Sequence, residues 1–188
     1  MNMSKKIPRL VLSAVIAALY VSLTLAQEMI FPASATMAVQ FRVSEALTVL
    51  SLFTPAAIPG LTLGCLLANF TSIQVMPLDV VFGTLATFLA SVCMYRLRSV
   101  RYRNISLLSA LMPAVFNGVI IGLELTFFIP DHSGSILTVF LTQGGLVALG
   151  EVISVMLLGI PFIKTVQNYA NPTVKPNKCK NKKLFELF

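Results

Sequence analysis

Residues 46–71 read ALTVLSLFTPAAIPGLTLGCLLANFT, an apolar run that is long for one membrane-crossing helix and short for two. One crossing needs about 20 apolar residues in an α-helix. The middle of the run, TPAAIPG at residues 54–60, contains two prolines and a glycine, which interrupt helices. The run therefore forms either one long helix or two short helices, and the rest of the chain must decide between them.

The composition is that of an integral membrane protein with one domain in the membrane. Of the 188 residues, 56% are hydrophobic and 11% are charged, whereas soluble domains carry about 25% charged residues. The mean hydropathy is +0.86. The basic start and first apolar run also resemble a signal peptide, but the apolar spans that follow favour a first membrane helix. Clear apolar segments are residues 10–26, 79–95, 105–129 and 137–163.

Basic residues gather in three clusters between or beyond the apolar segments: KKIPR at residues 5–9, RLRSVRYR at residues 96–103, and a lysine-rich tail. If the N-terminus is cytoplasmic and residues 46–71 form two helices, every Lys and Arg except Arg42 lies on the cytoplasmic side. One long helix would place the second and third clusters outside. Because cytoplasmic loops are enriched in Lys and Arg, the charges favour two helices. The clusters are better explained as topology signals than as a nucleic-acid-binding surface.

The predicted architecture is an all-α integral membrane protein with six transmembrane helices and both termini in the cytoplasm. Each span is expected to be helical because backbone polar groups in lipid must be paired within their own segment. Residues 1–165 would form the membrane domain and residues 166–188 a basic cytoplasmic tail. The expected spans are residues 10–26, 43–54, 57–71, 79–96, 105–128 and 138–164, and the expected external segments are residues 27–42, 72–78 and 129–137.

Polar residues gather in the outer half of this predicted bundle, where they are candidates for a substrate-binding site. A carboxylate inside a membrane span costs on the order of 2–3 kcal/mol even on mild scales. Glu124 and Glu151 have no basic residue within one helical turn to offset that cost. A ligand cavity would explain them. The candidate residues are Arg42, Glu45, Asn69, Asp79, Asn117, Glu124, Gln143 and Glu151.

Structural explanations exist for several of these residues. Asp79 follows Pro77 and Leu78 and fits the start of a helix. Asn69 fits a cap or a bridge between helices, and Asn117 fits a helix-packing contact. Arg42 and Glu45 are one turn apart and fit an exposed ion pair of small energetic value.

Small residues indicate where helices approach closely. Ala14 and Ala18 form a small-x-x-x-small pair on the first helix, which fits either packing within the protein or docking of a partner membrane subunit. Glycines in the fifth and sixth helices allow tight crossings or leave room for a planar ligand; they are Gly118, Gly122, Gly144, Gly145 and Gly150.

No catalytic or metal-binding pattern is present, so the sequence predicts neither an enzyme nor a cofactor. The single histidine cannot form a metal site with its neighbours. GIPFIKT at residues 159–165 has the outline of a phosphate-binding loop, but Ile163 stands where the second glycine belongs. These features favour a binding subunit that recognises an external solute and takes energy from partner proteins.

Three sequence blocks resemble the QueT family: VQFRVSEALTVLSLFTPAAIPGLTLGCLLANF, DVVFGTLATFLA and NGVIIGLEL. The resemblance covers most of residues 10–163. It implies a substrate-binding S component of an energy-coupling factor (ECF) transporter in a bacterial-type cell membrane, importing a 7-deazaguanine precursor of queuosine, preQ1 or preQ0. It also implies a transmembrane T component and two cytoplasmic ATPases as partners. In this superfamily an A-x-x-x-A motif meets the T component, and Ala14 and Ala18 match that motif.

The chemistry of a deazaguanine agrees with the polar residues. A carboxylate from Glu45 or Glu124 would accept hydrogen bonds from the donor edge of the base, with Glu151 at or below the ligand. Arg42 would either reach the carbonyl group or hold Glu45. Amide contacts would come from the three amide side chains, and an aromatic ring would cover the base. The amides are Asn69, Asn117 and Gln143, and the aromatic candidates are Tyr20, Phe41 and Phe127.

Three alternatives remain open at this stage. S components of the same fold bind thiamine, riboflavin, folate or pyridoxine-like compounds, and a fold does not choose a ligand. A passive channel would need a polar track through the inner half of the membrane. A structural subunit without a ligand is the third alternative.

Overall fold

The computed structural model describes residues 3–31, 41–72, 78–99, 107–128 and 135–170. Within these ranges every regular element is helical. The helices are α1 (Met3–Ile30), the 3₁₀-helix α2 (Val43–Leu52), α3 (Ala57–Thr71), α4 (Asp79–Leu97), α5 (Met112–Phe128), α6 (Ile136–Ser154) and α7 (Ile160–Ala170). A short helical turn, Leu107–Ala110, precedes α5, and a π-helical turn, Val155–Gly159, joins α6 to α7.

The helices confirm an all-α membrane protein, and they confirm two short helices rather than one long helix over residues 46–71. Four segments are long and apolar enough to cross a membrane, namely Ile7–Ile30, Asp79–Leu97, Leu108–Phe128 and Ile136–Val166. The 10 residues of α2 and the 15 residues of α3 each extend only about 20 Å, compared with about 30 Å of hydrocarbon. Counting both as crossings gives six spans and brings the chain back to its starting side.

The break between α2 and α3 is stabilised by side-chain hydrogen bonds. Thr54 Oγ1 accepts a hydrogen bond from the Ala56 amide at 3.2 Å, and Ser13 Oγ on α1 donates to the Ala56 carbonyl at 2.8 Å. Pro59 lies in the first turn of α3, where its missing N–H leaves no helical bond unmade. Main-chain groups that leave the helical pattern are therefore paired inside the protein, as a hydrocarbon environment requires.

Several boundaries differ from those expected. Helix α1 is longer than residues 10–26 at both ends, and α2 is wound as a 3₁₀-helix that ends at Leu52. The last span continues without a break through the π-helical turn to Ala170, past the expected domain boundary at residue 165. Most of the expected external segments and of the lysine-rich tail lie outside the described residues.

Helix α2 lies at the centre of the bundle. It packs against α1, α3, α4, α6 and the π-helical turn, and none of its residues is exposed. Its buried side chains are largely polar; they are Ser44, Glu45, Ala46, Thr48, Val49 and Ser51. A short helix that carries polar side chains is stable in a membrane only when protein covers those side chains, and the surrounding helices provide that cover.

Glycines permit the close crossings that enclose α2. A Cβ atom at Gly64 of α3 would lie 2.7 Å from Tyr20 Cβ of α1. At the crossing of α5 and α6, a Cβ atom at Gly144 would lie 2.5 Å from the Gly118 carbonyl oxygen. Gly118, Gly122 and Gly144 serve a tight crossing, the first of the two interpretations given for the glycines of these two helices. Gly145 differs, because a Cβ atom there would meet nothing within 4 Å.

The α5–α6 crossing can be tested with adjacent glycines. We expect Gly144→Ala to lower the free energy of unfolding by about 1–3 kcal/mol, because the new methyl group overlaps the backbone of α5. Gly145→Ala is the matched control, and it should be neutral or slightly stabilising because alanine favours a helix by about 1 kcal/mol. Thermal unfolding of the purified protein in detergent measures both. Equal melting temperatures for the two variants would contradict the crossing geometry.

Candidate functional site

Four elements of the bundle converge on a small polar chamber. Its free volume is about 10 Å³, which is about the space for one water molecule. Residues spaced by four positions on α4 and on α5 present one face of each helix to the chamber. The lining residues are Arg42 and Glu45 at the start of α2, Gly83 and Thr87 of α4, Asn117 and Ile121 of α5, and Glu151 of α6.

Two buried carboxylates of the chamber share the same arrangement. Glu45 Oε1 accepts a hydrogen bond from the Tyr20 hydroxyl of α1, and Glu151 Oε1 accepts one from Asn117 Nδ2 at 2.7 Å. The other oxygen of each carboxylate, Oε2, has no hydrogen-bond partner among the described residues. The residues are 1% and 5% exposed, so water outside the protein does not solvate them. Each carboxylate is held through one oxygen and keeps the other as a free acceptor.

Arg42 joins three helices at the chamber wall. Its Nη1 donates to Asn69 Oδ1 of α3 at 3.2 Å, and its Nη2 lies 3.7 Å from Asp79 Oδ2 at the start of α4. Asn69 Nδ2 in turn donates to the Asp79 carbonyl at 2.9 Å. The expectation of an exposed ion pair between Arg42 and Glu45 is therefore wrong: the ion-pair partner is Asp79, and both of those side chains are largely buried.

Glu124 lies outside the set of chamber-lining residues. It is 2% exposed, it lies close enough to Asp79 and Arg42 to interact electrostatically, and neither of its carboxylate oxygens has a hydrogen-bond partner in the described part of the chain. Gln143 is half-buried on α6 and also does not line the chamber.

The eight predicted residues thus separate into groups. Four of them line the chamber, and two others bind Arg42, which is one of the four. Glu124 lies next to the two residues that bind Arg42, and Gln143 is separate from the others. The lining residues are Arg42, Glu45, Asn117 and Glu151, and the residues that bind Arg42 are Asn69 and Asp79.

Sequence reasoning missed three lining residues and the role of a fourth residue. Asp79, Gly83 and Thr87 recur every fourth position, so helical spacing alone could have linked the last two to the predicted site. Ile121 gave no signal, because one isoleucine among many apolar residues is not distinctive. Tyr20 was one of three candidates to cover a ligand ring, and the hydrogen bond from its hydroxyl to Glu45 was not foreseen.

Helix α1 presents two different stripes of small residues. Ser13 and Ala17 are buried, at 7% and 8% exposure, and face α3, where Gly60 and Gly64 approach them. Ala14 and Ala18 are exposed, as are the adjacent apolar residues of the same helix, Val11, Val15 and Leu19. The pair expected to dock a partner therefore lies on an accessible apolar surface of the protein.

Removing the Arg42 cation should destabilise the bundle. We expect Arg42→Met to lower the free energy of unfolding by about 3 kcal/mol, because Asp79 would be left buried without its counter-ion. That loss corresponds to a fall of about 6–12 °C in Tm for a chain of this size. Thermal unfolding in detergent measures it.

The control for this substitution is Arg96→Met, at an exposed position near the end of α4. Surface substitutions of this kind change stability by about 0.5 kcal/mol or less. Equal effects of the two substitutions would show that the Arg42 ion pair contributes little.

Comparison with known proteins gives one match. A family model described as QueT transporter matches residues 10–168, which include the whole chamber. Neither a curated protein nor a solved structure matches the chain significantly. The matched family is one of membrane transporters, which agrees with the several long apolar helices and indicates a transporter rather than an enzyme.

Proposed function

This chain belongs to the QueT transporter family and is a multi-pass membrane transporter, and from that premise we propose its place in the transport machinery. The protein is the substrate-binding S component of an ECF transporter, and its substrate is a 7-deazaguanine precursor of queuosine. The chamber between α2, α4, α5 and α6 is the substrate site.

The free acceptors of Glu45 and Glu151 carry this proposal. Two buried carboxylate oxygens without hydrogen-bond partners among the described residues cost free energy until a ligand donates to them. A 7-deazaguanine has N–H and amino donors on its pyrimidine edge and a further N–H on its pyrrole ring, so it can donate at both ends. Its carbonyl oxygen accepts a hydrogen bond from Arg42 or from the Asn117 amide. Bonds from N–H groups to ionised carboxylates are among the strongest in proteins.

Charge favours preQ1 over preQ0. Among the described residues of the chamber and its surroundings, the cation Arg42 is accompanied by the carboxylates of Glu45, Glu151, Asp79 and Glu124. The aminomethyl group of preQ1 is a cation at neutral pH, and it is stabilised beside carboxylates in a low-dielectric site. The nitrile group of preQ0 is uncharged and offers no donor.

Substrate access requires the helices to separate. Ligand pockets usually measure about 300–1,000 Å³, whereas this chamber has about 10 Å³ of free volume. Arg42 lies at the predicted outer end of the chamber, at the point where the chain enters α2. Displacement of this end of α2 from α4 would open the chamber to the exterior.

Energy for transport is assigned to partner subunits. The sequence holds no complete phosphate-binding loop, so ATP hydrolysis belongs to two cytoplasmic ATPases that act through a transmembrane T component. The exposed stripe of Ala14 and Ala18 on α1 is the proposed contact with the T component, because small residues allow a second helix to approach closely.

Ligand binding tests the substrate assignment. We expect the purified full chain to bind preQ1 with a dissociation constant between nanomolar and micromolar, and to bind preQ0, guanine, thiamine and riboflavin more weakly. Glu45→Gln and Glu151→Gln should each weaken preQ1 binding by about 10- to 100-fold, since each amide removes a charged acceptor. Isothermal titration calorimetry in detergent measures the affinities.

The matched control is Glu28→Gln. Glu28 accepts a hydrogen bond from Ser72 at 2.5 Å and does not line the chamber, so this variant should bind preQ1 as the wild type does. Tighter binding of thiamine or riboflavin than of any deazaguanine would overturn the substrate assignment.

Partner association is tested at the exposed stripe of α1. We expect Ala14→Leu combined with Ala18→Leu to abolish copurification with the T component and ATPases and to leave preQ1 affinity unchanged. Val115→Phe combined with Val119→Phe is the control, because both valines are exposed on α5 with the same spacing of four. Retained copurification of the alanine variant, or equal loss in the control, would refute this docking site.

A further inference from the structure

Helix α1 contributes no residue to the chamber lining. One of its faces, however, binds the start of α2, which does line the chamber. Tyr20, Thr24 and Gln27 are spaced by four and three positions, which places them on one face of the helix. Each of them makes hydrogen bonds to the start of α2 or to the residues just before it. We define these three residues as the α1 ladder.

The upper part of the ladder holds the main chain on both sides of Arg42. Gln27 Nε2 donates to the Phe41 carbonyl at 2.5 Å, and Gln27 Oε1 accepts from the Val43 amide at 2.6 Å. Thr24 Oγ1 donates to Ser44 Oγ at 2.8 Å. These hydrogen bonds within the protein hold the first turn of α2 against α1 without any contribution from a ligand.

The lower part of the ladder reaches a chamber carboxylate directly. The Tyr20 hydroxyl donates to Glu45 Oε1, and the tyrosine is 1% exposed. Its ring packs in a cluster with Ile16, Leu61 and Cys65, and the backbone of α3 at Gly64 approaches its Cβ atom closely. These contacts restrict the movement of the ring and therefore of the hydroxyl that binds Glu45.

We propose that Tyr20 is a positioning residue of the substrate site, acting through Glu45 without touching the substrate. By occupying Oε1, it leaves Oε2 as the acceptor and fixes the direction in which that acceptor points. A carboxylate restrained in its bound orientation loses less conformational entropy when a ligand donates to it. The inference rests on the proposed function, because it concerns the affinity of the same chamber for the same solute.

Conservative substitutions separate positioning from packing. Tyr20→Phe removes one hydroxyl and keeps the buried ring. We expect it to weaken preQ1 binding about tenfold, which is about 1.4 kcal/mol. Ser13→Ala is the matched control, because it also removes a buried hydroxyl of α1, but that hydroxyl donates to the Ala56 carbonyl, outside the ladder and the chamber lining. We expect Ser13→Ala to change preQ1 affinity by less than about twofold.

The decisive measurement is a double-mutant cycle on the full chain, with preQ1 as the probe and calorimetry as the readout. If Tyr20 acts through Glu45, Tyr20→Phe should have little effect on affinity once Glu45→Gln is present. If Tyr20 had a purely structural role, Tyr20→Phe would lower the melting temperature both in the wild type and in Glu45→Gln. Its effect on preQ1 affinity would then not depend on Glu45.

Three outcomes would overturn the inference. Unchanged preQ1 affinity in Tyr20→Phe would overturn the inference and leave the proposed function intact. Additive effects of the two substitutions in the double-mutant cycle would have the same consequence. Equal losses of affinity in Tyr20→Phe and Ser13→Ala would show that α1 affects the site only through packing. Failure of the wild-type protein to bind preQ1 is distinguishable from these, because it removes the proposed substrate as well.

Discussion

The structure depends on covering the polar side chains of a short helix inside a membrane. Helix α2 is too short to span the hydrocarbon by itself, and the side chains that it buries include a carboxylate and several hydroxyls. Lipid cannot pair such groups, so neighbouring helices must do so. Helix α1 supplies the Tyr20 hydroxyl and the Gln27 amide, α3 and α4 hold Arg42, and glycine crossings bring the outer helices close enough to close the bundle.

The hydrogen bonding of the buried carboxylates is incomplete at the centre. In the described part of the chain, Glu45 and Glu151 each keep one oxygen without a hydrogen-bond partner, and Glu124 beside the chamber keeps both. Such groups reduce stability, and a donor-rich solute would recover that free energy on binding. The instability of the unliganded site is thus the physical basis of the proposed affinity, and the small volume of the chamber is the reason that helix movement is proposed to accompany binding.

Helix α1 combines two roles on different faces. The buried face carries the α1 ladder and the small residues against α3, and the exposed face carries the alanine pair and large apolar residues. A partner that docks on the exposed face would therefore contact the same rigid helix that holds Glu45 and the main chain around Arg42. The proposed docking surface and the proposed substrate site are joined through one helix rather than through a long series of contacts.

The sequence by itself determined the membrane class, the helical architecture, the break between α2 and α3, and a set of polar residues from which the chamber is built. Hydropathy and basic clusters report how often a chain crosses a bilayer, because each crossing has nearly the same length and the same solvent. Only the tertiary structure decided that Arg42 pairs with Asp79, that Tyr20 binds Glu45, and that Glu124 lies outside the chamber lining. Helical periodicity gives the face and the depth of a residue, but not the rotation of one helix against another. Those rotations follow from packing between segments that are distant in sequence, at contacts such as the one where Gly118 and Gly144 meet.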